Sequence, residues 1–454
     1  MKKSKLIKKP KVKEVKSEKA GAEPVKKVIA TPQALRGMKD ILPADQPFWL
    51  FLTDKARALA KSYSFEKIET PVLEEAGLFI RSVGKETDIV EKEMYVFEDL
   101  DGAKIALRPE ATASIVRAYL NHGMWNLPQP VRLWYQGPMF RHERPQSGRY
   151  RQFFQLGFEI LGDANPVSDA LLILVASNLY KELGINTSIQ LNSIGCPTCR
   201  EVYKNELVNH YKAHRSKVCE SCKKRMQRNP LRLLDCKEEQ CQAVKKEIPQ
   251  ILDFLCDPCR KHFMSVLEYL EELGLPYFLN NTLVRGLDYY NRTVFEIYSV
   301  GNDGAAQSAL GGGGRYDYLA ETLGGRTTPA CGFAIGLERT ANKIKEVNPA
   351  LAEKEKIDIF IAQLGDLARR KAMVLFESFR RAGVKVAEDF CRTGLRAQLE
   401  IADKLGARYT LIVGQKEVQD GTVIIRDMES GVQEIIDFNK AVADLQKKLF
   451  LNAS

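Results

Sequence analysis

The chain has 454 residues, so two to four domains of ~150 residues are expected rather than one. Its 44% hydrophobic and 28% charged content is that of a soluble globular protein and excludes a fibrous or wholly disordered chain. The formal net charge of +10 is unevenly spread, because eleven Lys against Glu14, Glu18 and Glu23 put +8 into residues 1–30 and leave the rest near neutral.

Residues 1–30 hold no aromatic side chain and contain Pro10 and Pro24, too little apolar surface to fold alone, and they read as a basic disordered arm. Two readings stand for the arm, a solubilising tail and a segment that touches nucleic acid. It lacks the apolar core of a signal peptide, and scattered Glu with no Arg argues against a transit sequence. The longest apolar run, near residues 170–176, is far short of a membrane span, so a cytoplasmic location with no membrane partner is expected.

Through residues 31–195, strand-like runs such as 130–140 and 152–161 alternate with helix-like ones. Strand alternation after Arg151 puts Phe154, Leu156, Phe158 and Ile160 on a core face and Phe153, Gln155, Gly157 and Glu159 on the other. A buried strand carries such a polar row only when something polar binds there, and Gly157 is expected to leave room for a ligand against the backbone. The loop before this strand holds Arg141, Arg144, Arg149 and Arg151 around Glu143, guanidinium groups that can clamp phosphates.

Eight of the ten cysteines fall in residues 196–275 as Cys196/Cys199, Cys219/Cys222, Cys236/Cys241 and Cys256/Cys259. Close pairs in a cytoplasmic chain favour tetrathiolate zinc over disulfides. Four pairs fill one or two sites, and they group into two sites in three ways, all of which stay open. The spacers between them read as helical, with His210 and His214 on a solvated helix face. Residues 276–347 then carry Arg285, Asp288, Tyr289, Tyr290, Asn291 and Arg292 within eight positions, followed by the glycines 311–314 and Arg315, Tyr316 and Asp317. No Gly-Lys-Ser/Thr follows the glycines and no GxGxxG is present, so a P-loop and a dinucleotide fold are excluded and close backbone approach to a ligand remains. After a polar linker, strands at 357–362, 384–387 and 409–413 alternate with helices at 366–382 and 395–405 in a separate α/β domain, 357–454.

From about Gln33 to near its C-terminus the chain resembles the histidyl-tRNA synthetases, a family of class II aminoacyl-tRNA synthetases. Residues 65–71, ending in Pro71, look like motif 1. Phe140, Arg141, His142 and Glu143 with the following strand look like motif 2, and residues 332–339 look like motif 3. Residues 283–296 and 312–317 resemble the two signatures peculiar to this family. The resemblance implies an α+β fold. A class II antiparallel-sheet catalytic domain in two parts, 31–195 and 276–347, carries the helical Cys-rich insertion, and the C-terminal α/β domain binds the anticodon.

The implied reaction joins L-histidine to ATP, with Mg2+, as a histidyl-adenylate. It then passes the histidyl group to its tRNA, in a homodimer. By resemblance Arg141, Arg285 and Arg339 are the catalytic cations on the phosphates, with Arg141, Glu143, Phe153 and Arg339 holding ATP. Glu110, Thr112 and Gln155 match positions for the α-amino end of histidine, and Glu159, Tyr289 and Tyr290 match the imidazole site. Arg144 and Gln146 face the tRNA acceptor end. Many members of the family lack the cysteine pairs, so zinc on Cys196, Cys199, Cys219, Cys222, Cys236, Cys241, Cys256 and Cys259 would be structural. The rival reading is a non-catalytic histidine-sensing relative, the regulatory subunit of ATP phosphoribosyltransferase or a synthetase-like sensor. Such relatives tend to lack residues 285–292 as a set or the C-terminal domain, and this chain has both.

Overall fold

The computed structural model describes residues 31–145, 148–300, 309–353 and 356–451. The expectations for the arm and for Gln146 therefore lie outside the described residues. The chain divides into two compact units, one ending at Asn348 and the other starting at Pro349. No described helix is long and apolar enough to cross a membrane.

The first unit is built on an eight-stranded sheet. Its spatial order is Glu66–Lys67, Val131–Phe140, Gln152–Leu161, Ala330–Gly336, Ala309–Arg315, Asn291–Ser299, Thr187–Ser193 and Phe278–Leu279. The inner pairs are antiparallel, and the two short outer strands lie parallel to their neighbours. One face buries Trp134, Leu156, Phe158, Phe295 and Phe333, with Phe158 stacked on Phe333 at 5.3 Å. Helices Gln46–Ser62, Pro166–Glu182 and Leu337–Val347 cover this region. The apolar run in the middle helix needs no polar stripe, because it packs against the strand Ala330–Gly336 and against helix Asp257–Glu272.

The chain leaves this sheet after Thr187–Ser193, forms the helices Pro197–Ala213, Glu220–Arg228 and Glu239–Lys246, and returns through Asp257–Glu272. Helical spacers between the cysteine pairs were expected, and these are the helices found. His210 and His214 are half-buried rather than solvated, since His210 Nε2 lies 3.1 Å from the Val244 carbonyl and His214 Nδ1 lies 3.0 Å from the His210 carbonyl.

The second unit has a five-stranded sheet in the order Val386–Glu388, Ile359–Gln363, Tyr409–Val413, Thr422–Asp427, Gln433–Asp437. The first three strands are parallel, and Ile359–Gln363 and Tyr409–Val413 are buried at every position, as strands covered on both faces must be. The last two are antiparallel additions that the sequence reading did not include. Gln433–Asp437 alternates between exposed and half-buried positions, so it carries little apolar signal. The mixed α+β architecture is the one expected.

Candidate functional site

The face of the large sheet turned away from the Phe158 core carries the polar row. Glu159 is 1% exposed, and both of its carboxyl oxygens are engaged, Oε1 by the Thr112 hydroxyl at 2.9 Å and Oε2 by the Tyr316 hydroxyl. Gly332 sits opposite it on the neighbouring strand, where an added Cβ would stand 1.4 Å from Glu159 Oε2. Burial pushes the Glu159 carboxyl up to about 8, against the pull of the Tyr316 and Thr112 hydrogen bonds, so it holds its proton at neutral pH. Glu110, 3% exposed, accepts from the backbone N–H groups of Thr112 at 2.8 Å and Ala113 at 3.0 Å, at the start of helix Thr112–Asn121, and from the Tyr289 hydroxyl at 3.3 Å. Burial raises its pKa as well.

Tyr289, Tyr290 and Tyr316 wall this end, with ring centroids 4.7 Å apart for the first two and 5.7 Å for Tyr289 and Tyr316. The room expected at Gly157 is taken by Tyr135 from the paired strand, whose ring atoms would lie 2.5 Å from a Cβ there. A glycine is needed, but for a ring rather than for a ligand. Beside it, Gln155 Oε1 is buried and meets no donor.

The other end of the strand is cationic and more open. Arg141 donates from Nε to the Pro109 carbonyl at 2.9 Å and lies with its guanidinium 5.3 Å from the Phe153 ring centroid. Glu143 is shared between Arg141 at 3.9 Å and Arg149 at 3.5 Å. Arg339 reaches the carbonyls of Gly148 at 2.9 Å and Ala309 at 2.7 Å, and burial lowers its pKa. Arg285 pairs with Glu296, lies over the Tyr290 ring at 5.8 Å and leaves Nε buried without a partner. It crosses the glycine strand at Gly312, where a Cβ would be 2.7 Å from its Nη1. Arg144 is exposed on the loop. Glu110, Thr112, Glu159 and Tyr289 thus lie together near one end of the strand and Arg141, Glu143 and Phe153 near the other, while Arg285 lies between them, over Tyr290 and Gly312.

A family model described as histidyl-tRNA synthetase matches residues 37–340, and one described as anticodon binding domain matches residues 358–448. The chain is 45% identical over 418 residues to a histidine–tRNA ligase of Dehalococcoides mccartyi, covering 92% of this chain and 100% of that one. It is therefore a member of the histidyl-tRNA synthetase family. A second such ligase, from Desulforamulus reducens, is 44% identical over 90% of this chain and 97% of its own length. Among solved structures, apo Staphylococcus aureus histidyl-tRNA synthetase matches with a TM-score of 0.74 at 33% identity, over 91% of this chain and all of that one. A Bacillus halodurans chain described as an ATP phosphoribosyltransferase regulatory subunit/histidyl-tRNA synthetase matches at 21% identity and a TM-score of 0.59, which speaks for the fold alone.

The strands of this region rest on residues that sequence reasoning left without a role. Arg108 braces the motif 1 segment, donating to the Thr70 carbonyl at 2.8 Å and to the Pro138 carbonyl at 2.9 Å. Glu338 accepts from the Phe154 N–H at 2.8 Å, and burial raises its carboxyl to about 7. Arg315, 0% exposed, is paired with Asp169 and with Asp317 at 3.0 Å, the pairing a buried cation requires. Arg315 and Tyr316 lie within the glycine signature, which was their one signal in sequence.

The eight cysteines form two clusters, Cys196, Cys199, Cys256 and Cys259 in one and Cys219, Cys222, Cys236 and Cys241 in the other. The Sγ separations are 3.6 Å for Cys196/Cys199 and 4.0 Å for Cys196/Cys256, and 3.9 Å for Cys219/Cys236 and 4.0 Å for Cys222/Cys241. A tetrahedron with Zn–S of ~2.3 Å has an edge of ~3.8 Å, so both clusters fit that ion. Backbone N–H groups point at the sulfurs, Cys256 to Cys199 at 3.1 Å and Cys219 to Cys241 at 3.2 Å, as suits thiolates.

Proposed function

We propose that the two ends of this strand divide the work of histidine activation. The chain is a histidine–tRNA ligase of class II, which joins histidine to its tRNA through a histidyl-adenylate. The observation that carries the residue assignment is the buried hydrogen-bonded cluster of Glu159, Thr112, Tyr316, Glu110 and Tyr289 beside Gln155. Histidine would place its imidazole between Glu159 and Tyr290, with Tyr289 alongside. Its α-ammonium would lie toward Gln155, Glu110 and Thr112. Each ring nitrogen then has a polar partner, as a buried imidazole requires.

The substrate carboxylate is already ionised and attacks the α-phosphorus of ATP. One C–O–P link forms as the bond to pyrophosphate breaks, with no general base. What the protein supplies is alignment and positive charge. Arg141 and Arg285 would face the α-phosphate and Arg339 the γ-phosphate, with adenine against Phe153 and its amino group toward Glu143. Mg2+ travels with ATP and neutralises part of its triphosphate. Arg141, Arg285 and Arg339 would supply the protein's positive charge there.

Arg144 and Gln146 would meet the tRNA acceptor end and domain 357–454 its anticodon, with 31–195 and 276–347 forming the catalytic domain around the insertion 196–275. Both cysteine clusters would hold structural Zn2+. A cytoplasmic homodimer assembled through residues 65–71 completes the reading. The test is charging of a transcribed tRNA for histidine with labelled histidine and ATP: esterified histidine at the terminal ribose is expected, and none in a folded dimeric sample overturns the assignment.

A further inference from the structure

The two cysteine clusters are not equivalent in what they touch. The cluster Cys196/Cys199/Cys256/Cys259 stands at the neck of the insertion, where the chain leaves the sheet and where it comes back. Gly195, φ +62°, has no room for a side chain, since a Cβ would be 2.5 Å from that of Cys199. Its carbonyl accepts from the Arg292 N–H at 2.8 Å, and the Ile194 N–H donates to the Arg292 carbonyl at 2.8 Å. Arg292 itself adopts φ +50°, a left-handed conformation uncommon for a residue with a side chain. The backbone directly after Tyr290 and Asn291 is therefore clamped in an unusual shape by the residues that open the cysteine knuckle.

Each helix that starts in this cluster adds a second tie. On helix Pro197–Ala213, Arg200 donates from Nη1 to the Tyr290 carbonyl at 2.9 Å, with the Asp288 carbonyl at 3.5 Å. On helix Asp257–Glu272, buried His262 lies 3.5 Å from Arg292 Nη1 through Nδ1 and 3.4 Å from Asp169 through Nε2. Asp169 holds Arg315, and Arg315 is followed by Tyr316, which bonds Glu159. Among the described residues the outer cluster's module shares a packed core with Tyr290 but makes no hydrogen bond to it. That module makes polar contacts with the rest of the unit at Asp88, Glu91 and Asp288, through Arg232 at 2.6 Å, Arg228 at 3.6 Å and Asn229 at 3.2 Å.

We infer that the neck cluster is a metal-held positioning device for the histidine pocket, in which Zn2+ on Cys196, Cys199, Cys256 and Cys259 fixes the two helices that place Tyr290 and Arg292. Arg200 is a positioning residue, acting on substrate through the backbone of Tyr290. The inference rests on the ligase reading and adds to it that histidine affinity, rather than ATP affinity, depends on the neck metal. Without that metal the four thiols have no common centre, and both helix starts are released together.

The full-length protein and Arg200→Ala, Arg200→Lys and Cys259→Ser test this by zinc content, released by a mercurial and read with a colorimetric chelator, and by histidine-dependent pyrophosphate exchange. Arg200→Ala is expected to keep two zinc per chain. Its KM for histidine should rise about tenfold while that for ATP stays within twofold and kcat changes less than threefold. Arg200→Lys should recover part of the histidine KM. Cys259→Ser should lose one zinc and show the same selective rise. If Cys259→Ser does not fold, Arg200→Ala decides alone. A parent that exchanges with histidine and an Arg200→Ala that matches it in histidine KM overturn the inference while leaving the ligase reading intact. A parent that shows no histidine-dependent exchange overturns both.

Discussion

The two ends of strand Gln152–Leu161 differ in how complete they are. At Glu159 both carboxyl oxygens are engaged, the side chain is buried, and the neighbouring Gly332 leaves no slack. At Phe153 the arginines are held by backbone carbonyls and by the shared Glu143, partners that a triphosphate can replace. The difference teaches that selection and catalysis draw on different physics. On the proposed assignment the Glu159 end would select histidine by hydrogen bonds, since a substrate lacking them would strand buried polar groups. On the same assignment the Phe153 end would work by collecting positive charge where negative charge arrives.

Changes that separate the ends are the sharpest tests, and the largest effect is expected at Arg285. Arg285→Ala should lower the rate of adenylate formation ~10²–10³-fold, the scale for losing one preorganised charged donor, with histidine KM changed far less. Single-turnover kinetics checks this, and an unchanged rate removes its catalytic role. Next, Glu159→Ala should raise the histidine KM ~100-fold and leave the ATP KM within threefold, because it leaves the Tyr316 and Thr112 hydroxyls and the imidazole without their acceptor. Equal shifts in both KM values would mean that the two ends are not separable.

Gly332→Ala forces a methyl group onto Glu159 and should cost ~1–3 kcal/mol of stability, seen as a lower midpoint in thermal unfolding. A midpoint equal to that of the parent would show that the strand yields without cost.

Proton linkage gives a smaller, pH-dependent effect. Glu159 holds a proton below about 8, and free histidine's imidazole is neutral above ~6.5, so one proton between them is supplied by the protein across that window. Above about 8 the proton must come from water, and the histidine dissociation constant should then rise about tenfold per pH unit. Glu159→Gln should move this rise to higher pH, which titration calorimetry across the range would show. A rise unmoved by that substitution would place the titrating group elsewhere. The smallest change is expected for the half-exposed Arg149, whose loss should raise the ATP KM two- to threefold, since an exposed charge contributes little.

Much of this was legible in sequence because it is local. Period-two alternation placed Gln155 and Glu159 together, and the glycine run signalled close approach before its partners were known. What was not legible depends on pairing across the chain. Tyr135 fills the space at Gly157 through strand register, and Arg315 finds Asp169 at a separation of 146 residues. The grouping of the cysteines was open among three arrangements until the helix Asp257–Glu272 returned Cys256 and Cys259 to Cys196 and Cys199. Arg200 carried no signal of its own, since its target is a backbone carbonyl ninety positions away.

The central claim is that the buried, acid-lined end of the strand binds histidine and presents its carboxylate to the arginines toward the other end. Pyrophosphate exchange into ATP, measured with histidine and with each other amino acid in turn, tests it most directly. Exchange that requires histidine, with every other amino acid near background, is the predicted result. Exchange without histidine dependence, or none at all in a folded sample, would contradict it.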